Sequence, residues 1–131
     1  MAYWLLKSEP DTYGIDHLEE QGTNMWEGCR NYIVRNYLRD EMKIGDKAFF
    51  YHSSCPEPGV AGEMEIVSDA YPDPTQFDPT SDYHDPKSPK DNPRWFVRDV
   101  KFIRKYGKVV TLPEMRANPQ LAEMITLRKG N

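Results

Sequence analysis

The sequence predicts a mixed α+β domain. Three observations carry that reading: short apolar runs of strand type, intervening segments with helical period, and a length of 131 residues, enough for one hydrophobic core. YWLLK (3–7) is a compact strand-like run that ends at Pro10. Asp16 with Glu19 three residues on forms a capping box for a short helix that Gly22 stops. A longer helix is predicted from about Trp26 to Met42. Wound at about 100° per residue, Cys29, Ile33, Trp26, Tyr37, Val34 and Leu38 share one broad side, with Tyr32, Arg35 and Arg39 opposite. Arg30 falls inside that apolar arc, between Tyr37 and Val34, where a guanidinium needs a partner or a cleft because an unpaired buried charge is costly.

Gly45-Asp46 then turns the chain into KAFFYHS (47–53), dense in aromatics and read as a central strand buried on both faces. After the SCPEPG loop, GVAGEMEIVSDAY (59–71) alternates, with Val60, Met64 and Ile66 on one face and Glu63 and Glu65 on the other. RWFVRDVKFIRKY (94–106) is a further strand, and Thr111 with Glu114, then Asn118 with Pro119, mark the starts of two short terminal helices. Between Tyr71 and Trp95 lie Pro72, Pro74, Pro79, Pro86, Pro89 and Pro93, with no periodicity. A loop this long in a small domain is a functional cover or disordered; its prolines and the anchors Phe77 and Tyr83 favour an ordered flap.

Composition narrows the function classes. A net charge of -4 argues against a protein that coats nucleic acid through a general basic surface. A local basic face remains open, because residues 94–108 hold Arg94, Arg98, Lys101, Arg104, Lys105 and Lys108 against the single acid Asp99, and the predicted long helix and its end add Arg30, Arg35, Arg39, Lys43 and Lys47. Cys29 and Cys55 lack CxxC spacing and read as reduced thiols; His17, His52 and His84 have no second ligand at a metal's spacing, so neither metal nor other cofactor is expected. No apolar run approaches a membrane span and no basic region precedes the opening one, so the expectation is an intracellular protein, cytoplasmic or, in a eukaryote, nuclear.

Five blocks in order, YWLLKSEPDTYGIDHL, WEGCRNYIVRNYLRDEMKIGD, FFYHSS, AYPDPTQFDPTSDYHDPKSP and PRWFVRDVKF, resemble the EVE domain family across essentially the whole chain. The resemblance implies a PUA-like fold, a small mixed β-barrel of about five strands flanked by short helices. It also implies a pocket for a modified nucleobase such as methylated or hydroxymethylated cytosine, and a distant kinship with YTH domains. Chains of the family usually continue past the equivalent of LRKGN with another strand and an EW ending, so 1–131 is expected to be a single domain lacking that last strand.

A reader of modified bases must unstack the base, hold its faces between aromatic rings and hydrogen-bond its edge. Trp26 on spacing alone is a core tryptophan; the resemblance makes it one wall of an aromatic cage, with the second wall left to Phe77, Tyr83 or Tyr51. Ser8 shares a strand face with Trp4 and Leu6 and is the small polar group of the pocket, while Lys7 reaches round the rim and Glu9 ends the strand. Tyr51, His52 and Ser53 end a buried strand with three hydrogen-bonding groups in succession. Arg30 is either the partner of an inward acid such as Glu9 or part of the pocket wall, and Asn31 suits a base edge.

The expected function is therefore a non-catalytic, monomeric module that binds DNA or RNA carrying a modified base, flipped into this pocket, with the basic strand tracking the backbone. One alternative is an amidohydrolase like those of the related ASCH group, using Lys7, Ser8 and Glu9 or Glu63 on a modified nucleoside. Another is a protein-binding module whose ligand surface is the flap.

Overall fold

The computed structural model describes residues 3–111 together with Pro113, Glu114 and Ala117. Among these residues seven strands and three short α-helices follow in order: β1 (Tyr3–Ser8), α1 (Pro10–Tyr13), α2 (Ile15–Gln21), β2 (Thr23–Met25), α3 (Tyr32–Asn36), β3 (Lys47–His52), β4 (Gly59–Ile66), β5 (Tyr71–Pro72), β6 (Phe96–Val97) and β7 (Asp99–Val110). Five of the strands form a sheet in the order β1-β3-β4-β7-β2, curled into a half-barrel, while β5 and β6 pair separately. β3 runs parallel to β1 and antiparallel to β4, which places the predicted aromatic strand between two neighbours. Phe50, Leu18, Leu38, Met64, Ile66 and Val100 form the main core, and Leu5, Tyr51 and Val60 a second cluster.

The predicted helix over Trp26 to Met42 does not form as one piece. Residues 26–31 are irregular, and the helix begins only at Tyr32, where the Asn31 side chain caps it by accepting from the amides of Ile33 at 2.9 Å and Val34 at 3.2 Å. Gly28 explains part of this: its φ of +83° is non-helical, and a Cβ there would sit 2.6 Å from the Tyr83 ring. Arg30 is thus not on a helix face at all. Past Asn36 the helix widens into a π turn over Tyr37–Glu41, in which the Met42 amide reaches back to the Tyr37 carbonyl at 2.8 Å. That extra residue releases the Leu38 carbonyl, which the buried Arg98 guanidinium takes instead.

Other expectations shift for similar reasons. At α2 the cap is formed by His17, whose Nδ1 accepts from the Gly14 amide at 2.8 Å, and Asp16 instead pairs with Lys105 at 2.6 Å; Gly22 ends the helix as predicted, with φ +79°. A bulge in β4 between Val60 and Gly62 turns Val60 to the face opposite Met64 and Ile66. The predicted strand 94–106 breaks at Arg98, β6 pairing with β5 and β7 with the main sheet. Thr111 and Glu114 are in capping contact. The expected helix at Asn118 and the question of a last strand lie outside the described residues. Among those residues no helix is long and apolar enough to cross a membrane.

Candidate nucleic-acid site

The mouth of the half-barrel, to which both edge strands β1 and β2 contribute, is a cleft of about 1100 Å³. Trp4, Leu6 and Ser8 supply one wall from β1; Asn24 and Met25 of β2 and the irregular segment from Trp26 to Asn31 supply the other. Trp26 is held from both ends. Its amide donates to the Arg98 carbonyl at 2.9 Å, and its indole meets Phe50 edge-to-face, with centroids 5.1 Å apart, leaving 8% of the residue exposed. The ring is therefore a core residue that also lines the cleft.

The flap over residues 72–93 is ordered, and its interior is polar. Asp73, fully buried, accepts from the amides of Gly28 at 3.0 Å and Thr75 at 2.8 Å and from Arg30 at 3.1 Å. Gln76, also fully buried, donates to the carbonyls of Asp73 at 2.8 Å and Trp95 at 2.9 Å and accepts from the Ser88 hydroxyl at 2.6 Å and the Trp95 amide at 3.2 Å. The Trp95 indole donates to Asp85 at 2.7 Å. These bonds take up the backbone and side-chain polarity that a proline-rich loop cannot place in a ladder.

Arg30 answers the charge anomaly of the sequence: it clamps the flap. Besides Asp73 it donates to the Tyr83 carbonyl and, at 3.2 Å, to the Thr75 hydroxyl, and its guanidinium lies 5.7 Å from the Tyr83 ring and 5.4 Å from that of Trp95. Its acid is Asp73 of the flap, not Glu9. Trp95 packs on Tyr32 at 4.8 Å, and Arg35 lies 4.9 Å from Tyr32. The result is a continuous series of aromatic and guanidinium groups from Tyr83 at the cleft to Tyr32 at the surface.

Of the residues expected at the site, Lys7, Ser8, Glu9, Trp26, Arg30, Asn31, Ser53 and Tyr83 line the cleft. Several do so with their polar groups already engaged. Ser8 donates its hydroxyl to the Tyr13 carbonyl at 2.7 Å, Asn31 spends its side-chain oxygen on the α3 cap, and Glu9 offers its backbone carbonyl to the amides of Thr12 and Tyr13. Tyr51, His52 and Phe77 fall outside the lining. Tyr51 is buried with Leu5 and Val60, beneath the Lys7 ammonium at 5.8 Å; Phe77 ends the 3-10 turn over Pro74–Phe77. His52 accepts from the Ile15 amide at 3.1 Å, and burial lowers its pKa, so it is a structural histidine. Lys7 and Ser8 both border the cleft, but their side chains diverge, the Lys7 ammonium lying over Tyr51 and the Ser8 hydroxyl bonding the Tyr13 carbonyl, so the pair does not form the contact the amidohydrolase alternative needs. Sequence reasoning missed Tyr13, Asn24, Glu27, Val34 and Tyr37 in the lining; only Glu27, adjacent to Trp26, carried a signal that could have found it.

The predicted basic face is largely spent on structure. Arg98 is buried, Arg104 pairs with Glu63 at 3.0 Å, Lys105 with Asp16, Arg94 with Asp85 at 3.7 Å, and Lys47 with Glu65. Cys29 and Cys55 are free thiols, and burial pushes the Cys29 thiol up.

Comparison with known proteins adds an independent line. A family model for the EVE domain matches residues 2–131. Human thymocyte nuclear protein 1 is 45% identical over 130 residues, which cover 91% of this chain and 57% of the relative, so the chain spans a little over half of that protein. Among solved structures, a Pseudomonas syringae protein aligns with a TM-score of 0.92 at 47% identity, covering 98% of this chain and 86% of that one. The human THYN1 protein in complex with DNA containing 5-methylcytosine aligns with a TM-score of 0.90 at 40% identity, covering 100% of this chain and 87% of that one.

Proposed function

The chain belongs to the EVE domain family, and from that premise we propose that it is a non-catalytic DNA-binding module that takes a methylated cytosine out of the base stack and into the cleft between β1 and β2. The observation that carries this reading is its likeness along the whole chain to a human protein whose structure is a complex with 5-methylcytosine-containing DNA. The cleft supports it. Trp26 and Tyr83, the latter seated over Gly28, both line the cleft and supply aromatic surface; the Arg30 clamp holds Tyr83 in place; and polar groups from β1, β2 and the 26–31 segment line the same space. The net charge of -4 leaves no broad basic surface, so stacking and edge contacts carry most of the affinity. A DNA ligand puts the module in a bacterial cytoplasm or a eukaryotic nucleus.

Fluorescence anisotropy with two duplexes that differ in one 5-methyl group, at two salt concentrations, tests the reading. The methylated duplex is expected to bind more tightly. Tyr83→Ala is expected to weaken that binding by about 1–3 kcal/mol, roughly 5- to 150-fold. Trp26→Phe, which keeps the core filled, tests the second ring, because Trp26→Ala would also open a cavity against Phe50. Equal affinity for both duplexes would overturn the proposal.

A further inference from the structure

Among the described residues three carboxylates line the cleft: Glu9, Glu27 and Glu63. The fold explains two of them. Glu63 pairs with Arg104, and Glu9 stands exposed at the start of α1, where its backbone carbonyl caps the helix. Glu27 lies between Trp26 and Gly28 in the chain, and among the described residues its side chain makes no hydrogen bond or ion pair. It is nevertheless surrounded: its charge is felt by Tyr13 at the end of α1, and it feels Asp73 and Arg30 of the flap clamp. Although much of the residue is exposed, desolvation raises its carboxyl pKa; Asp73 adds to the rise and Arg30 opposes it. A carboxyl in an aromatic cleft with its hydrogen-bonding capacity unused is a group available to a ligand.

We propose that Glu27 determines which base the cleft accepts, taking the exocyclic amine of a cytosine's Watson–Crick edge and refusing the carbonyl that thymine carries in its place. This rests on the base-binding reading above. The chemistry is one of matched valences. Cytosine offers an amine donor where thymine offers an acceptor, so a carboxylate oxygen satisfies the first and faces an acceptor in the second, leaving two buried acceptors without a proton between them. The 5-methyl group cannot make this distinction, since 5-methylcytosine and thymine both carry it. A site that senses only the methyl would confuse the two, and an acceptor on the edge separates them.

The test uses duplexes in which cytosine, 5-methylcytosine or thymine lies opposite an abasic site, so that all three bases are equally free to leave the stack. Wild-type protein is expected to favour 5-methylcytosine over thymine by about tenfold or more, the worth of one well-placed hydrogen bond to a charged group. Glu27→Ala is expected to bring that ratio close to one by losing 5-methylcytosine. Glu27→Gln is expected to bring it close to one from the other side, because an amide can turn its NH2 to the thymine carbonyl and so gain thymine. In both variants the ratio of 5-methylcytosine to cytosine should stay as in wild type, which a merely structural role would not produce, and melting temperatures should match. A ratio of 5-methylcytosine to thymine that survives both substitutions, or an equal loss for all three bases, overturns the assignment of Glu27 alone. A wild-type protein indifferent to methylation overturns the base-binding reading and this inference with it.

Discussion

Phe50, at the middle of the sheet, and Gln76, at the middle of the flap, are both fully buried, yet their neighbourhoods share almost no chemistry. Around Phe50 stand Trp26, Tyr13 and His52 rings and a core of Leu18, Leu38, Met64 and Ile66. Around Gln76 stand the carbonyls of Asp73 and Trp95, the Ser88 hydroxyl and the Trp95 amide. The apolar region is held by area and shape, which are non-directional and forgiving of volume-conserving change. The flap is held by bonds whose loss strands a buried partner. One region thus serves as a scaffold, and the other as a cover whose position is set by a few specific contacts.

That contrast can be broken from either side. The largest effect is expected in the scaffold: Phe50→Ala should cost about 3–5 kcal/mol and lower the stability of the whole domain, read as a shift in the denaturant midpoint. Asp73→Ala should cost about 3 kcal/mol, toward the low end for a broken buried pair because Arg30 is 24% exposed. Its signature should differ: protease cuts should concentrate within 72–93 while the amides of β3 and β4 stay protected from exchange. Uniform exposure in both variants would mean that flap and sheet form one cooperative unit. Gln76→Met, close in volume but without hydrogen bonds to give, should cost about 1–3 kcal/mol, whereas Leu18→Met in the sheet core should cost less than about 1.5 kcal/mol. Similar penalties for the two swaps would erase the distinction.

The smallest effect concerns His52, at the edge of the scaffold. Burial lowers its pKa, and its neutral Nε2 accepts from Ile15. A group whose folded pKa is depressed contributes stability above its ordinary value of about 6.5, and that contribution is lost as the pH falls through the folded pKa. The melting temperature of wild-type protein should therefore drop between about pH 7.5 and about pH 5.5 more than that of His52→Asn, the difference between the two profiles isolating this one site. Parallel profiles would show that His52 does not titrate differently on folding.

Much of the scaffold could be read from the chain because its signals are local. The aromatic density of KAFFYHS marks a strand covered on both faces, and Gly22 stops α2 where its left-handed φ is needed. The resemblance to EVE domains supplied what local signals could not, the expectation of a curled sheet closing toward a barrel. β2 was invisible because three residues, Thr23–Met25, carry no period, and their pairing with β7 is decided across the fold. The long helix was wrong for the same kind of reason: its apolar spacing is real, but Gly28 under the Tyr83 ring and the Asn31 cap interrupt it.

The sequence by itself determined the alternation of elements, the ordered flap, and the demand that Arg30 find a partner. Only the tertiary structure decided that the partner is Asp73, 43 residues away in the chain, that Arg98 is an interior group rather than part of a basic face, and that Glu27 stands in the cleft without an ion pair among the described residues. Propensity and periodicity act over a few residues, whereas pairing of charges and polar atoms acts between whichever groups the folded backbone brings within hydrogen-bond reach.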